Sequence, residues 1–469
     1  MIKKKSEWME KAFRFLVYFF PVVLFFSYYP IIHLGSNESM NFELSLPLIY
    51  LVVFDLLSVI LLIRKRLFSN LVKWWPLLLL MFFLTLSVFW SLNKLRGALT
   101  IGMLWLVCLA GFAILKLRVL FELEATKSKF YKIFFYSSVT VCVWCFLQSI
   151  LDLVGVSRDG TLMCSGCTYT MFGFPHPNGF AIEPQFMGNL LLAPVIVAAW
   201  FYLKRYTELF STKTLLLYFF IFVATLFLTF SRGAIYAFII AMIFMTIYMI
   251  MRTKKWRAML LWPVVILAFL FTLNMQGIMA EASKTDDTYV SGVSKAINHL
   301  SLGLIDFRQS PEVKEDEGNT DAKQKEAAIF NGYVESSTTT RVNLNDAAIE
   351  IWAKDVKTML FGVGLGGAGE AMHIYGWTLY SKEIVQNQYF SLLLETGLVG
   401  IVLLVLAAVF AFRAIKGREN SGLIFTLLVG YGITVCFFAG LPNALHIYIL
   451  PELFMAVDYS SSRRKKLVS

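Results

Sequence analysis

The chain has 469 residues, of which 58% are hydrophobic and only 16% charged, with a mean hydropathy of +0.67. Soluble domains average about 25% charged residues, so a water-soluble globular enzyme is excluded, and most of the chain must lie in lipid. The net charge of +11 would suit a nucleic-acid partner only if the basic residues shared one surface, and they instead occupy short segments between apolar runs.

Runs long enough to cross a bilayer, about 20 residues each, are expected near 13–32, 44–63, 74–92, 98–115, 133–151, 184–203, 214–230, 234–251, 258–275, 389–412, 421–438 and 443–458. The fold class is therefore an all-α integral membrane protein of about twelve transmembrane helices. The basic start at Lys3, Lys4 and Lys5 runs into an apolar stretch without a small-residue cleavage site, which reads as an uncleaved first helix.

Basic residues collect on the cytoplasmic side of membrane proteins. Placing both termini inside puts 28 of the 42 Lys and Arg there, and every alternate loop obeys the rule. The same solution leaves one large extracytoplasmic loop between helices nine and ten. The expected organisation is residues 1–275 as helices one to nine, 276–387 as the loop, and 388–469 as helices ten to twelve with a basic cytoplasmic tail. Within the loop, 276–337 contains the charged, aromatic-poor stretch Pro311 to Asp321 and is expected to be mobile. Residues 338–387 are expected to be ordered and helical, since Leu344, Ala348, Ile351 and Trp352 recur at helical spacing before a glycine-rich turn from Gly362 to Gly369.

On this topology the polar residues that a bilayer excludes gather on the outward side. Lys94 and Arg96 fall in a short turn after helix three, Arg232 in the turn Thr229-Phe-Ser-Arg-Gly-Ala234, and His176 and Glu183 ahead of Pro184, which suits a first helical turn. Asn387, Ser391 and Glu395, spaced four apart, form one polar stripe running into the membrane. Each has a plainer alternative: Arg232, Lys94 and Arg96 as snorkelling boundary cations, Glu183 as a helix cap, and His176 and His373 as surface or core histidines. His33, His299 and His446 read as structural. No two histidines share ligand spacing with a carboxylate, so no metal is expected.

Cys164-Ser-Gly-Cys167 reads as a local disulfide bracing an outer loop, with a redox centre as the alternative. Gly364-Leu-Gly-Gly-Ala-Gly369 matches a dinucleotide fingerprint in letters, but the strand-helix-strand context is missing. As a flexible turn it could present backbone N–H groups to an anion.

Taken in order, four features resemble the O-antigen ligase and polymerase superfamily of bacterial membrane glycosyltransferases, which includes WaaL-type ligases and Wzy-type polysaccharide polymerases. They are Leu86-Ser-Val-Phe-Trp-Ser91 before the basic turn, the Thr229–Ala234 turn, Arg341 leading into Leu360-Phe-Gly-Val-Gly-Leu-Gly366, and Gln386-Asn387 followed by Gly397-Leu-Val-Gly400. The resemblance implies transfer of a glycan from an undecaprenyl-pyrophosphate carrier to an acceptor hydroxyl on the outer face of the cytoplasmic membrane, without metal, nucleotide sugar or other cofactor. The implied partners are the lipid-linked oligosaccharide, an acceptor glycan or lipid, membrane lipid and other polysaccharide assembly proteins.

By the resemblance, Arg232 and Arg341 neutralise the pyrophosphate, with Lys94, Arg96, His176, Glu183 and Ser391 as substrate-binding candidates. Gln386, Asn387, His373 and Glu395 complete the catalytic candidates. The ligase pattern has a histidine where this chain has Gln386, and an amide is no base; the proton would then go to His373, Glu370, Glu383 or Glu395. Together with Glu183-Pro-Gln-Phe186, this favours a polymerase of surface polysaccharide repeats. The alternatives are a ligase to a lipid or protein acceptor and, behind it, a lipid-linked glycan transporter.

Overall fold

The computed structural model describes residues 2–27, 32–34, 42–68, 74–156, 158–164, 167–168, 175–254, 256–282, 288–301, 305, 339–418, 420–438 and 444–457. The basic tail and the acidic stretch Pro311 to Asp321 lie outside them.

In chain order the elements are α1 (Ile2–Leu24), a small antiparallel ladder of β1 (Ile32–Leu34) and β2 (Phe42–Leu44), α2 (Leu46–Arg64), α3 (Trp75–Ser87), α4 (Lys94–Lys116) and α5 (Glu124–Leu153). There follow α6 (Pro184–Lys204), α7 (Thr212–Leu228), α8 (Arg232–Thr253), α9 (Leu261–Ala282) and α10 (Tyr289–Leu300). The last are α11 (339–352), α12 (Val356–Phe361), α13 (Ala368–Ile374), α14 (Gln388–Ile415), α15 (Ser421–Thr434) and α16 (Leu445–Ala456). The fold is helical apart from the three-residue ladder, in which Ile32 faces Leu44.

Among the described residues seven helices are long and apolar enough to cross a membrane: α2, α4, α5, α6, α8, α9 and α14. The apolar helices α3, α7, α15 and α16 are shorter. Each of the twelve apolar runs in the sequence falls on a helix, seven of them of spanning length and apolarity and four shorter; the run 74–92, for example, leaves the α-helix at Ser87 for a tighter turn over Val88–Trp90.

α6 is enclosed on nearly all sides, packing on α7, α8 and α15, and its buried residues run almost without interruption from Phe186 to Leu203. α14 is the opposite case. Val402, Val405, Val409 and Phe412 point outward from it, as suits a lipid-facing helix. Its inward side meets α3 and α12.

Two breaks in regularity shape the end of the bundle where the polar residues collect. Gly397 sits inside α14 with φ +61° and ψ −168°, a conformation open essentially to glycine alone. In an unbroken helix the carbonyls of Leu394 and Glu395 would accept from residues four further on. Here they accept from the N–H groups of Val363 (2.9 Å) and Gly364 (3.0 Å), so the glycine-rich turn docks into the kink.

The second break corrects an expectation. Residues 289–300 of the stretch expected to be mobile form α10, which packs on α9 through Gly292 against Ala280 and Tyr289 against Gly277. Its amphipathic pattern buries Gly292, Ser294, Ala296, Asn298 and His299.

Candidate functional site

Polar groups converge at one end of the bundle in two neighbouring clusters. The first lies where α4 and α14 begin. Asn93 caps α4, its side chain accepting from the N–H of Arg96 at 3.0 Å. Lys94 and Arg96 are therefore the first helical turn, not a free turn as expected. Lys94 faces outward, whereas Arg96 reaches a pocket lined also by Thr100, Ser391, Glu395, Gln388 and the backbone of Gly366 to Gly369. Arg96 Nη1 donates to the carbonyl of Lys382 at 3.4 Å.

Glu395 is held inside this cluster. Its carboxylate accepts from the N–H of Ala368 (3.4 Å) and that of Gly366, and Arg96 balances its charge. The glycine turn does present N–H groups to an anion, and that anion is the chain's own Glu395. The turn is fixed from the other side by Ser91 Oγ donating to the Leu365 carbonyl (2.8 Å) and by the Leu365 N–H donating to Ser87 Oγ (3.3 Å). Gly364 and Gly366, both at positive φ, touch the backbone of Ser91 and Gly97, where a side chain has no room.

The second cluster is built around the turn between α7 and α8. Ser231 caps α8 by accepting from the N–H of Ala234 (3.5 Å), which makes Arg232 the first residue of a 22-residue helix. Phe230 adopts φ +49°, uncommon for a bulky side chain. Its carbonyl lies 3.3 Å from His299 Nε2. The carbonyl can only accept, so the proton is on Nε2 and the lone pair of the neutral ring is on Nδ1. The rings of His299 and His176 are 5.5 Å apart, centre to centre, and His176 is also 5.5 Å from Phe230.

The electrostatics of this cluster join residues far apart in sequence. Burial, then the charges of Arg232 and Arg341, lowers the His299 imidazole to about 4 against a hydrogen bond that favours its charged form. His176 is held well below the ordinary histidine range by burial, then by His299 and Arg232. Glu183 is pushed up by burial, which Arg341 only partly offsets. Glu183 occupies the N-cap position of α6, yet its side chain makes no capping bond.

The loop carrying His176 and Glu183 is pinned by α5. Gln148 Nε2 donates to the carbonyls of Thr161 (2.9 Å) and Gly179 (3.0 Å), and its Oε1 accepts from the Gly179 N–H at 2.8 Å. Asn178 closes the loop by donating to the Ala181 carbonyl at 2.7 Å. Cys164 and Cys167 are disulfide-bonded, and the Cys167 carbonyl accepts from the His176 N–H at 2.8 Å. The segment after α15 ties the clusters together: Val435 O accepts from the Gln388 N–H (2.9 Å) and Phe437 O from Gln185 Nε2 (3.0 Å).

Of the residues expected from sequence, the structure brings Arg232, Arg341, His176 and Glu183 into one cluster and Arg96, Ser391 and Glu395 into the other. Four fall elsewhere. Asn387 does not continue the inward stripe; its side chain caps α14 through the N–H groups of Tyr389 (2.9 Å) and Phe390 (3.4 Å). Gln386 is half-buried and absent from the pocket lining, which takes Gln388 instead. His373 is exposed, with Nδ1 3.1 Å from the carbonyl of Thr378. Lys94 faces outward, as above.

Sequence reasoning missed His299, Gln388 and Gln148. The available signal for His299 was the amphipathic stretch Tyr289–Leu300, with one histidine on its buried face.

Residues 217–405 match the family described as O-antigen ligase. Over this segment the chain is similar to the O-antigen ligase and polymerase superfamily. No curated protein matches the chain. The matched segment holds Arg232, His299, Arg341 and Glu395, while Arg96, His176 and Glu183 come from helices and loops that precede it.

Proposed function

We propose that this membrane protein is a glycosyltransferase that takes a glycan from an undecaprenyl-pyrophosphate carrier and polymerises surface polysaccharide repeats. In this reading it works at the extracytoplasmic face of the cytoplasmic membrane, without a metal. The reading is supported by Arg232 and Arg341, which both act electrostatically on His299 although they come from different elements.

A pyrophosphate leaving group develops negative charge as the glycosidic bond breaks. Two guanidiniums match it in geometry and in permanent charge. Arg232 adds to this from the first position of α8, where the helix dipole is also positive. Positive charge gathered at a helix N-terminus is unfavourable alone and favourable once an anion arrives. The acceptor hydroxyl would approach from the side of His176, which is buried, and Glu183, which is exposed at the start of α6.

The reading favours polymerase over ligase because Gln386 stands where a ligase has its histidine. The family description itself names ligases, which keeps transfer to a lipid or protein acceptor as the second reading. Purified protein in liposomes, given the lipid-linked repeat alone, is expected to produce a ladder of lengths that Arg232→Ala and Arg341→Ala each abolish. Product appearing only after a separate acceptor is added would choose the ligase. An unchanged ladder in both arginine variants would remove them from the reaction.

A further inference from the structure

We propose that the segment before α14 is seated in the bilayer, with phospholipid as its partner: α12 lies among the acyl chains beside α14, and the loop 374–384 lies in the headgroup layer. This lipid seat is independent of the glycan-transfer reading.

The depth of α12 follows from α14. Arg413 marks the far end of that helix. A hydrocarbon layer takes about 20 helical residues, so counting back puts its near edge around Leu393. Gly397 lies below that edge, and the backbone of Leu360 packs against it. The turn after α12 is held at the same level, with Val363 and Gly364 donating to the carbonyls of Leu394 (2.9 Å) and Glu395 (3.0 Å). α12 therefore ends within the hydrocarbon, and it leaves Val356, Leu360 and Phe361 exposed, Val356 at 71%. The Phe361 ring lies 6.4 Å from that of Trp90, whose neighbour Phe89 is 75% exposed. These side chains continue the outward surface of α14 formed by Val402 and Val405. Gly362, Gly364, Gly366 and Gly367, which carry the non-helical backbone at this depth, are all buried, as lipid requires.

The loop 374–384 sits higher. Its Lys382 carbonyl accepts from Arg96, in the first turn of α4, at 3.4 Å. Six of its eleven residues are large, apolar or aromatic, and exposed, and Leu379 at 84% is the most exposed large apolar side chain among the described residues. Lysines lie over two of its rings, Lys354 at 3.7 Å from the centre of Tyr375 and Lys382 at 5.0 Å from that of Tyr380. Aromatic rings with ammonium groups beside them suit the headgroup layer, where the ring body is shielded from water and the cation meets phosphate. A glycan would stack on the rings but offer nothing to Ile374, Leu379 or Val356. The aliphatic share of the surface selects lipid.

The test uses the full-length protein in phospholipid nanodiscs, with Cys108→Ala and Cys436→Ala to remove the half-buried thiols. Nitroxide labels at Leu379→Cys and Val356→Cys are compared with Val405→Cys on α14 and with Glu208→Cys in the exposed loop between α6 and α7. Collisions with oxygen, which dissolves in lipid, and with a water-soluble nickel chelate are read by power saturation. The Val356 label is expected to match Val405, and the Leu379 label to meet the chelate at least about fivefold less often than Glu208. Chelate access equal to that of Glu208 at either position would overturn the lipid seat. Shielding from both oxygen and chelate would overturn it too, by showing a protein cover such as a second copy of the chain. Without a label, brominated phospholipid is expected to quench the emission that Trp377→Phe removes. Quenching of that emission by aqueous iodide and not by the lipid would likewise overturn the inference.

Discussion

Glu395 accepts a hydrogen bond from the backbone N–H of Ala368 at 3.4 Å, a contact that joins a carboxylate near the start of α14 to the glycine-rich turn. With the Gly366 N–H and Arg96, it makes Glu395 the organiser of that turn. Glu395→Ala is expected to lower thermal stability by about 1–3 kcal/mol, the usual loss when buried donors lose a charged partner. Glu395→Gln, which keeps one acceptor oxygen, should lose less. Unfolding in detergent followed by intrinsic fluorescence measures both. A Glu395→Ala protein with unchanged midpoint and no transfer would show a direct chemical role instead.

The kink in α14 depends on Gly397. At φ +61° an alanine is strained, and its Cβ would press on the backbone of Leu360. Gly397→Ala is expected to reduce the yield of folded protein and to unseat the 362–369 turn. Protease cleavage within that turn, compared with Gly430→Ala in a more open setting on α15, reads the effect. Equal cleavage in the two variants would count against the docking role of the kink.

Gln148 positions the loop that bears His176 and Glu183. Gln148→Leu leaves the buried Gly179 N–H without its side-chain acceptor, a cost of about 1–3 kcal/mol. Transfer activity is expected to fall several-fold while affinity for undecaprenyl pyrophosphate changes little. The two are separated by measuring turnover against undecaprenyl pyrophosphate binding. A variant with wild-type turnover and midpoint would mean that the loop needs no anchor on α5.

Stability should depend on pH through His299. Its folded value of about 4 lies below the unfolded value near 6.5, so the unfolded chain binds more protons between those limits. The stabilisation is complete above about pH 6.5 and is lost as pH falls toward 4, by on the order of 3 kcal/mol for this group. His176 acts in the same direction, and Glu183, raised by burial, acts in the opposite one. Unfolding midpoints from pH 7.5 to 4.5 should therefore decline less steeply in His299→Gln than in wild type. Parallel curves would place His299 in a hydrated setting.

Much of this was legible in the chain. Apolar runs of spanning length and alternating basic segments specify a helical membrane protein, since lipid admits only backbones that satisfy their own hydrogen bonds. Pro184 after Glu183 marks a helix start by local chemistry, whereas the caps Asn93 and Ser231 drew Lys94, Arg96 and Arg232 out of the expected turns into helices. Arg232 stood out because a permanent charge at the edge of an apolar run demands a reason, and Arg341 only through the family resemblance.

The tertiary structure alone decided which polar residues meet. Ser391 and Glu395 share a helix with Asn387 at regular spacing, yet the cap takes Asn387 out of the stripe, and the Gly397 kink turns Glu395 toward a loop that sequence offered to a ligand. His299 read as structural because its partners, Phe230, Arg232 and Arg341, lie in other elements of the chain. Periodicity and caps are local and can be read along one segment. The charge around a histidine is set by whatever helix packing brings within a few ångströms, and that depends on the whole fold.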